Sequence, residues 1–168
     1  MYYSYGAIFM FTKDPKEIFK KIIIIFWMFW WLIALWTDVV GLLAHHGLLF
    51  KSWAPNTNLP FLIESLKMYP LPAWTPHLFF IGILFWSFVS TTAFVWACLS
   101  LHRDTKIWMH RADIAFIISI SFWFSFFLAD QLLMKFDLEE NHMVQGGFQL
   151  LTYLMLYWLP SNKNCGYA

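Results

Sequence analysis

Three aspartates, Asp38, Asp113 and Asp130, lie inside otherwise apolar stretches of this chain. An ionisable side chain in such a setting is costly and is a functional hypothesis by default. Asp38 is followed by Gly41 and, at i+7, by His45. His46, His77 and His142 also fall at the ends of apolar stretches, on the side of the membrane where the topology below places Asp38, Asp130, Glu64, Glu139 and Glu140. Carboxylates and imidazoles converging on one side have the chemistry to bind zinc, copper or non-haem iron. A membrane-embedded histidine can also ligate haem axially, and an Asp/His set can pass protons. The metal-ligand candidates are His45, His46, Asp38 and His142, and the intramembrane polar candidates are Asp38 and Asp130.

The spacing is not that of an established site. No HxxxH or HExxH pattern occurs, ExxH occurs only at Glu139–His142, and every histidine lies near the end of an apolar run, where polar residues belong anyway. Asp113 stands two residues from Arg111 and reads as part of a helix start. There is no Gly-rich phosphate loop, no GxSxG and no nucleophile–base pair. The reading is therefore of a chain without catalytic residues or a cofactor of its own, with a haem or metal site as the alternative.

What must position these residues is a set of four long apolar runs: Ile22–Leu43, His77–Leu101, Ala112–Met134 and Met143–Leu159. Each reaches or approaches the ~20 residues that an α-helix needs to cross ~30 Å of hydrocarbon. The 168 residues are 60% hydrophobic and 12% charged, about half the charged share of a soluble domain, with a mean hydropathy of +0.57. In lipid the backbone must satisfy itself, which leaves helices or closed barrels, and unbroken runs without alternation exclude the barrel. The expected fold is a single-domain, all-α, integral membrane four-helix bundle.

The 11 Lys and Arg residues orient it. Lys13, Lys16, Lys20 and Lys21 precede the first run, Arg103, Lys106 and Arg111 fill the second loop, and Lys163 follows the fourth run. Only Lys51, Lys67 and Lys135 occupy the other two loops, so the positive-inside rule puts both termini inside. Lys20, Lys21, Arg103, Lys106 and Arg111 read as topology anchors that touch anionic lipid headgroups. Asp14-Pro15 reads as the first helix start. The first run is too long, and lacks the small-residue cleavage site, for a signal peptide. The acids Asp14 and Glu17 argue against a mitochondrial presequence. A bacterial inner membrane is the expected location, with the mitochondrial inner membrane as the alternative.

The first outer loop, Ala44–Pro76, is punctuated by Pro55, Pro60, Pro70, Pro72 and Pro76. Within it Leu59, Leu62, Ile63 and Leu66 recur at helical spacing, which fits either an interfacial helix or one that caps the bundle mouth. The second loop, His102–Arg111, is basic, and the third, Lys135–His142, is acidic. Ser90, Ala93 and Ala97 on the second run, and Ser121, Ser125 and Ala129 on the third, form small-residue stripes that let helices approach closely. Both read as contacts inside the bundle, with a partner subunit as the alternative. Trp27, Trp30 and Trp31 lie within the first run and read as packing bulk, the alternative being an aromatic lining for a flat ligand such as a quinone. Cys98 and Cys165 cannot build a disulfide framework.

Three features together resemble an uncharacterised bacterial family of small four-span integral membrane proteins. Trp36-Thr37-Asp38 stands where that family ends its first span in a Thr-Asp pair. An outer loop with His46 leads to Pro76-His77. The stretch FWFSFFLADQLLMKF (Phe122–Phe136) precedes an acidic loop and a fourth span from His142. The resemblance covers about residues 22–160 and departs at Val39 and at Asp137–Met143. It implies the four-span topology and brings no established activity with it.

Small size, abundant aromatics and the lack of catalytic chemistry favour a non-catalytic integral subunit. Such a subunit would anchor or stabilise a larger inner-membrane complex, with the respiratory chain as its setting. Its expected partners are the lipid bilayer and other integral membrane subunits. A net charge of +1 gives no reason to expect nucleic acid. The alternatives are a redox, metal or haem protein built on the outer Asp/His residues, and a small transporter component using Asp38 and Asp130.

Overall fold

The computed structural model describes residues 14–50, 52 and 58–159, with the side chains of residues 136–138 left aside. Lys13, Lys51, Pro55, Lys163 and Cys165 lie outside the described residues. The chain is all-α, with five helices: α1 (Pro15–His45), α2 (Asn58–Leu66), α3 (Thr75–Cys98), α4 (Thr105–Leu133) and α5 (Phe136–Trp158).

Helix α1 begins where the sequence places it. Asp14 caps it by accepting the Lys16 backbone N–H at 3.0 Å, and Pro15 occupies the first turn, where its missing N–H costs nothing. Its 31 residues extend about 46 Å at 1.5 Å per residue. That exceeds the ~30 Å thickness of a bilayer's hydrocarbon core. Helices α1, α3 and α4 are each long and apolar enough to cross a membrane.

Two loops are shorter than the sequence suggests. Basic residues of the His102–Arg111 segment belong largely to α4, which starts at Thr105 because Asp104 is an N-cap, its carboxylate accepting the Lys106 N–H at 2.8 Å. The acidic Lys135–His142 segment is not a loop: α5 starts at Phe136, directly after a tight reversal at Met134 and Lys135. Glu139 and Glu140 stand near the helix N-terminus, where the macrodipole favours negative charge. Charge marks a helix start here, not a connection.

The long helices pack in chain order, α1 on α3, α3 on α4 and α4 on α5, with α1 and α5 closing the arrangement through a smaller contact. Neighbours run antiparallel: the His46 ring lies 6.3 Å from the His77 ring, and the Arg111 guanidinium stacks 4.4 Å over Trp96. The core is aromatic. Trp27, Trp31, Trp108, Phe94 and Phe116 are essentially fully buried, while Trp30 lies between Trp27 and Trp123 at 5.6 Å from each. Since lipid removes the hydrophobic drive for helix association, close packing and interhelical hydrogen bonds hold such a core.

The two small-residue stripes face different ways. Ser90, Ala93 and Ala97 of α3 are buried, as expected of a bundle contact. On α4 the buried positions include Ala112, Ala115, Ser119 and Trp123, whereas Ser125 is exposed and Ser121 and Ala129 are half-buried. The expectation of an interior contact for Ser121, Ser125 and Ala129 is therefore corrected: helical spacing puts three residues on one face without saying which face is inside.

Helix α2 lies across one end of the bundle against α3 and α1, with Leu59 and Leu66 buried. The chain after it is tied to α4 by the Tyr69 hydroxyl, which donates to the Leu132 carbonyl at 2.6 Å.

Candidate functional site

Helix α4 ends in a hairpin turn that fixes a buried polar pair. Met134 takes a left-handed conformation (φ 52°), and the Lys135 N–H returns to the Asp130 carbonyl at 2.9 Å. A left-handed non-glycine residue costs roughly 1–2 kcal/mol, which the hairpin contacts offset. The reversal brings the last turn of α4 against the second turn of α5. Asp130 Oδ2 then lies 2.6 Å from His142 Nδ1, with the carboxylate side chain only 5% exposed and the imidazole 16%. The His142 ring packs on Phe126 at 4.6 Å and faces Trp123 at 6.0 Å. One residue further out, Gln131 Nε2 donates to both Glu139 carboxylate oxygens at 2.7 Å.

The pair has a defined chemical consequence. A carboxylate on one imidazole nitrogen fixes the ring's orientation and its tautomer, and leaves Nε2 as the nitrogen that can exchange a proton or meet another group.

The same face of α5 continues inward. Gly146, Gln149 and Thr152 follow His142 at i+4, i+7 and i+10, one side of a helix. Trp123 Nε1 donates to Gln149 Oε1 at 2.8 Å, and Trp27 Nε1 donates to Thr152 Oγ1 at 2.8 Å. At the far end the Tyr157 hydroxyl donates to Asp113, which corrects the reading of Asp113 as a helix-start residue only. Helix α5 is polar toward its neighbours and apolar outward, where Met143, Val144, Phe148, Leu151 and Trp158 are exposed. This inverted polarity explains why α5 is not among the three helices apolar enough to span by composition.

The predicted metal-site residues fall into separate groups. Asp38 accepts from Asn58 Nδ2 at 2.7 Å, which ties α2 to α1. His142 pairs with Asp130. His45 and His46, at the end of α1, meet edge to face at 5.3 Å between ring centroids, and His46 faces His77 across to α3. Among the described residues no group of three His, Cys, Asp or Glu side chains is arranged to hold a metal ion. Of the topology anchors, Lys20 is buried, Lys21 pairs with Glu17 at 3.1 Å, Arg111 covers Trp96, and Arg103 and Lys106 are exposed. The chain matches no protein-family model, no curated protein and no solved structure.

The sequence marks Asp38, Asp130 and His142 but not that Asp130 and His142 pair with each other. Asn58, Gln149 and Thr152 were missed. The signal for the last two was present, since they share a helix face with His142. Nothing in the sequence marked Asn58.

Proposed function

We propose that this chain is a non-catalytic integral membrane subunit that anchors or stabilises a larger inner-membrane assembly, with a respiratory complex as the host. The observation that carries this reading is the use made of the intramembrane acids. Asp38, Asp113 and Asp130 engage Asn58, Tyr157 and His142, so their polar capacity serves to join helices. Paired in this way, Asp38 and Asp130 do not favour the transporter reading. In the proposed topology α5 is the fourth span, its polar face turned inward, and both termini lie on the inner side, where Lys20, Lys21, Arg103, Lys106 and Arg111 gather.

The outward stripe of α4 supports a partner surface. Ser121 and Ser125 donate to the carbonyls one turn back, at 2.7 and 2.9 Å, so they present small, self-satisfied groups to a neighbouring helix. A photo-crosslinking residue at Ser125 tests this in native membranes. A discrete protein adduct is expected, and lipid adducts alone would contradict it.

A metal or haem role is the second reading, which rests on the pairwise contacts of the His46 ring with His45 and His77 and not on a three-residue site. Metal analysis of protein purified from its own membrane tests it: stoichiometric metal lost on His46→Ala is the expected result, and none bound would dispose of it.

A further inference from the structure

The end of the bundle opposite the Asp130–His142 pair carries a cleft of about 260 Å³, lined by Glu17 and Lys21 of α1, Leu101, His102 and Arg103 of the α3–α4 turn, and Asp104 and Thr105 where α4 begins. At ~30 Å³ per water, the cleft has room for several waters or for one small headgroup. The walls carry both signs of charge. Glu17 and Lys21 form one wall as an ion pair at 3.1 Å, their side chains 17% and 18% exposed. Arg103 and His102 stand exposed on the other, beside the N-terminus of α4, where Asp104 already accepts the Lys106, Ile107 and Trp108 N–H groups. Asp104 spends one oxygen on the Lys106 N–H.

An anion alone would have to settle beside Glu17 and Asp104. A cation alone would meet Lys21 and Arg103. A group bearing both charges a few bonds apart satisfies both walls, and Leu101 is the apolar residue of the lining.

We propose that this cleft binds a phosphoethanolamine group. The phosphate sits on Arg103 and Lys21, and the primary ammonium donates to the carboxylates of Glu17 and Asp104. A quaternary choline cannot donate these hydrogen bonds, and phosphoglycerol offers the carboxylates no cation. The inference rests on the chain being embedded in lipid, and does not depend on which protein partner it joins.

Native mass spectrometry of the full-length protein in detergent, titrated with phosphatidylethanolamine, phosphatidylcholine and phosphatidylglycerol of matched acyl chains, tests it. One phosphatidylethanolamine should bind roughly tenfold more tightly than either competitor, the expected worth of about one charge-assisted hydrogen bond. Glu17→Gln should erase the preference over phosphatidylcholine while leaving the helical circular dichroism intact. Arg103→Gln should weaken binding of all three. Competition by soluble glycerophosphoethanolamine identifies a free headgroup as sufficient, and failure to compete identifies the anchored lipid as the ligand. Equal binding of the three lipids, or a preference unchanged in both variants, would overturn the proposal even if partner subunits are found.

Discussion

Asp130 and His142 face each other across the α4–α5 hairpin at 2.6 Å, twelve residues apart in sequence, with the carboxylate almost fully enclosed. Removing the imidazole leaves a buried acceptor without its partner, a loss of about 1–3 kcal/mol. His142→Ala should lower thermal stability in detergent accordingly. The double variant Asp130→Ala/His142→Ala should be less destabilised than the sum of the two single variants, because the second change removes the stranded group. Simple additivity would show that the contact does not contribute.

Two adjacent glycines of α5 should respond oppositely to alanine. A Cβ on Gly146 would lie 2.9 Å from Trp123 Cβ and 3.0 Å from Phe127 Cζ, whereas one on Gly147 meets nothing within 4 Å. Gly146→Ala should cost ~1–3 kcal/mol by overpacking the α4–α5 seam. Gly147→Ala should be neutral or gain up to about 1 kcal/mol from helix propensity. Thermal melts of the two variants side by side check this, and equal effects would argue against the close approach of α5 to Trp123.

The seam's inner hydrogen bonds make a third test. Thr152→Val keeps the shape but strands the Trp27 indole N–H. A loss of roughly 0.6 kcal/mol, and no more than about 1.7, is expected, the average and the maximum measured for interhelical hydrogen bonds in a membrane bundle. Unfolding monitored by tryptophan fluorescence would detect it, and unchanged stability would mean that the indole finds another acceptor.

Helix existence was legible in this sequence, but helix ends and helix faces were only partly so. Asp14-Pro15 announced the start of α1, and Leu59 with Leu66 announced α2, because capping and apolar spacing are local signals. The charged stretches at His102–Arg111 and Lys135–His142 read as loops, since hydropathy cannot separate a polar helix start from a turn. The stripe Ser121, Ser125 and Ala129 showed a shared face without its direction. The Asp38–Asn58 and Asp130–His142 contacts depend on how whole helices dock, which no local pattern encodes.

The proposed topology is checked by single cysteines placed at the two exposed ends of the bundle. With Cys98→Ser and Cys165→Ser as background, His46→Cys and His102→Cys should react with a membrane-impermeant maleimide from opposite sides of sealed vesicles, His102→Cys from the cytoplasmic side. Labelling of both from one side would refute the spanning of α1 and α3 as drawn.

The central claim, that this bundle is a subunit of a larger membrane assembly, is tested most directly by native mass spectrometry after gentle extraction from its own membrane. The predicted result is a mass far above 20.0 kDa with reproducible partner proteins. A species at 20.0 kDa, or at a simple multiple of it, would contradict the claim.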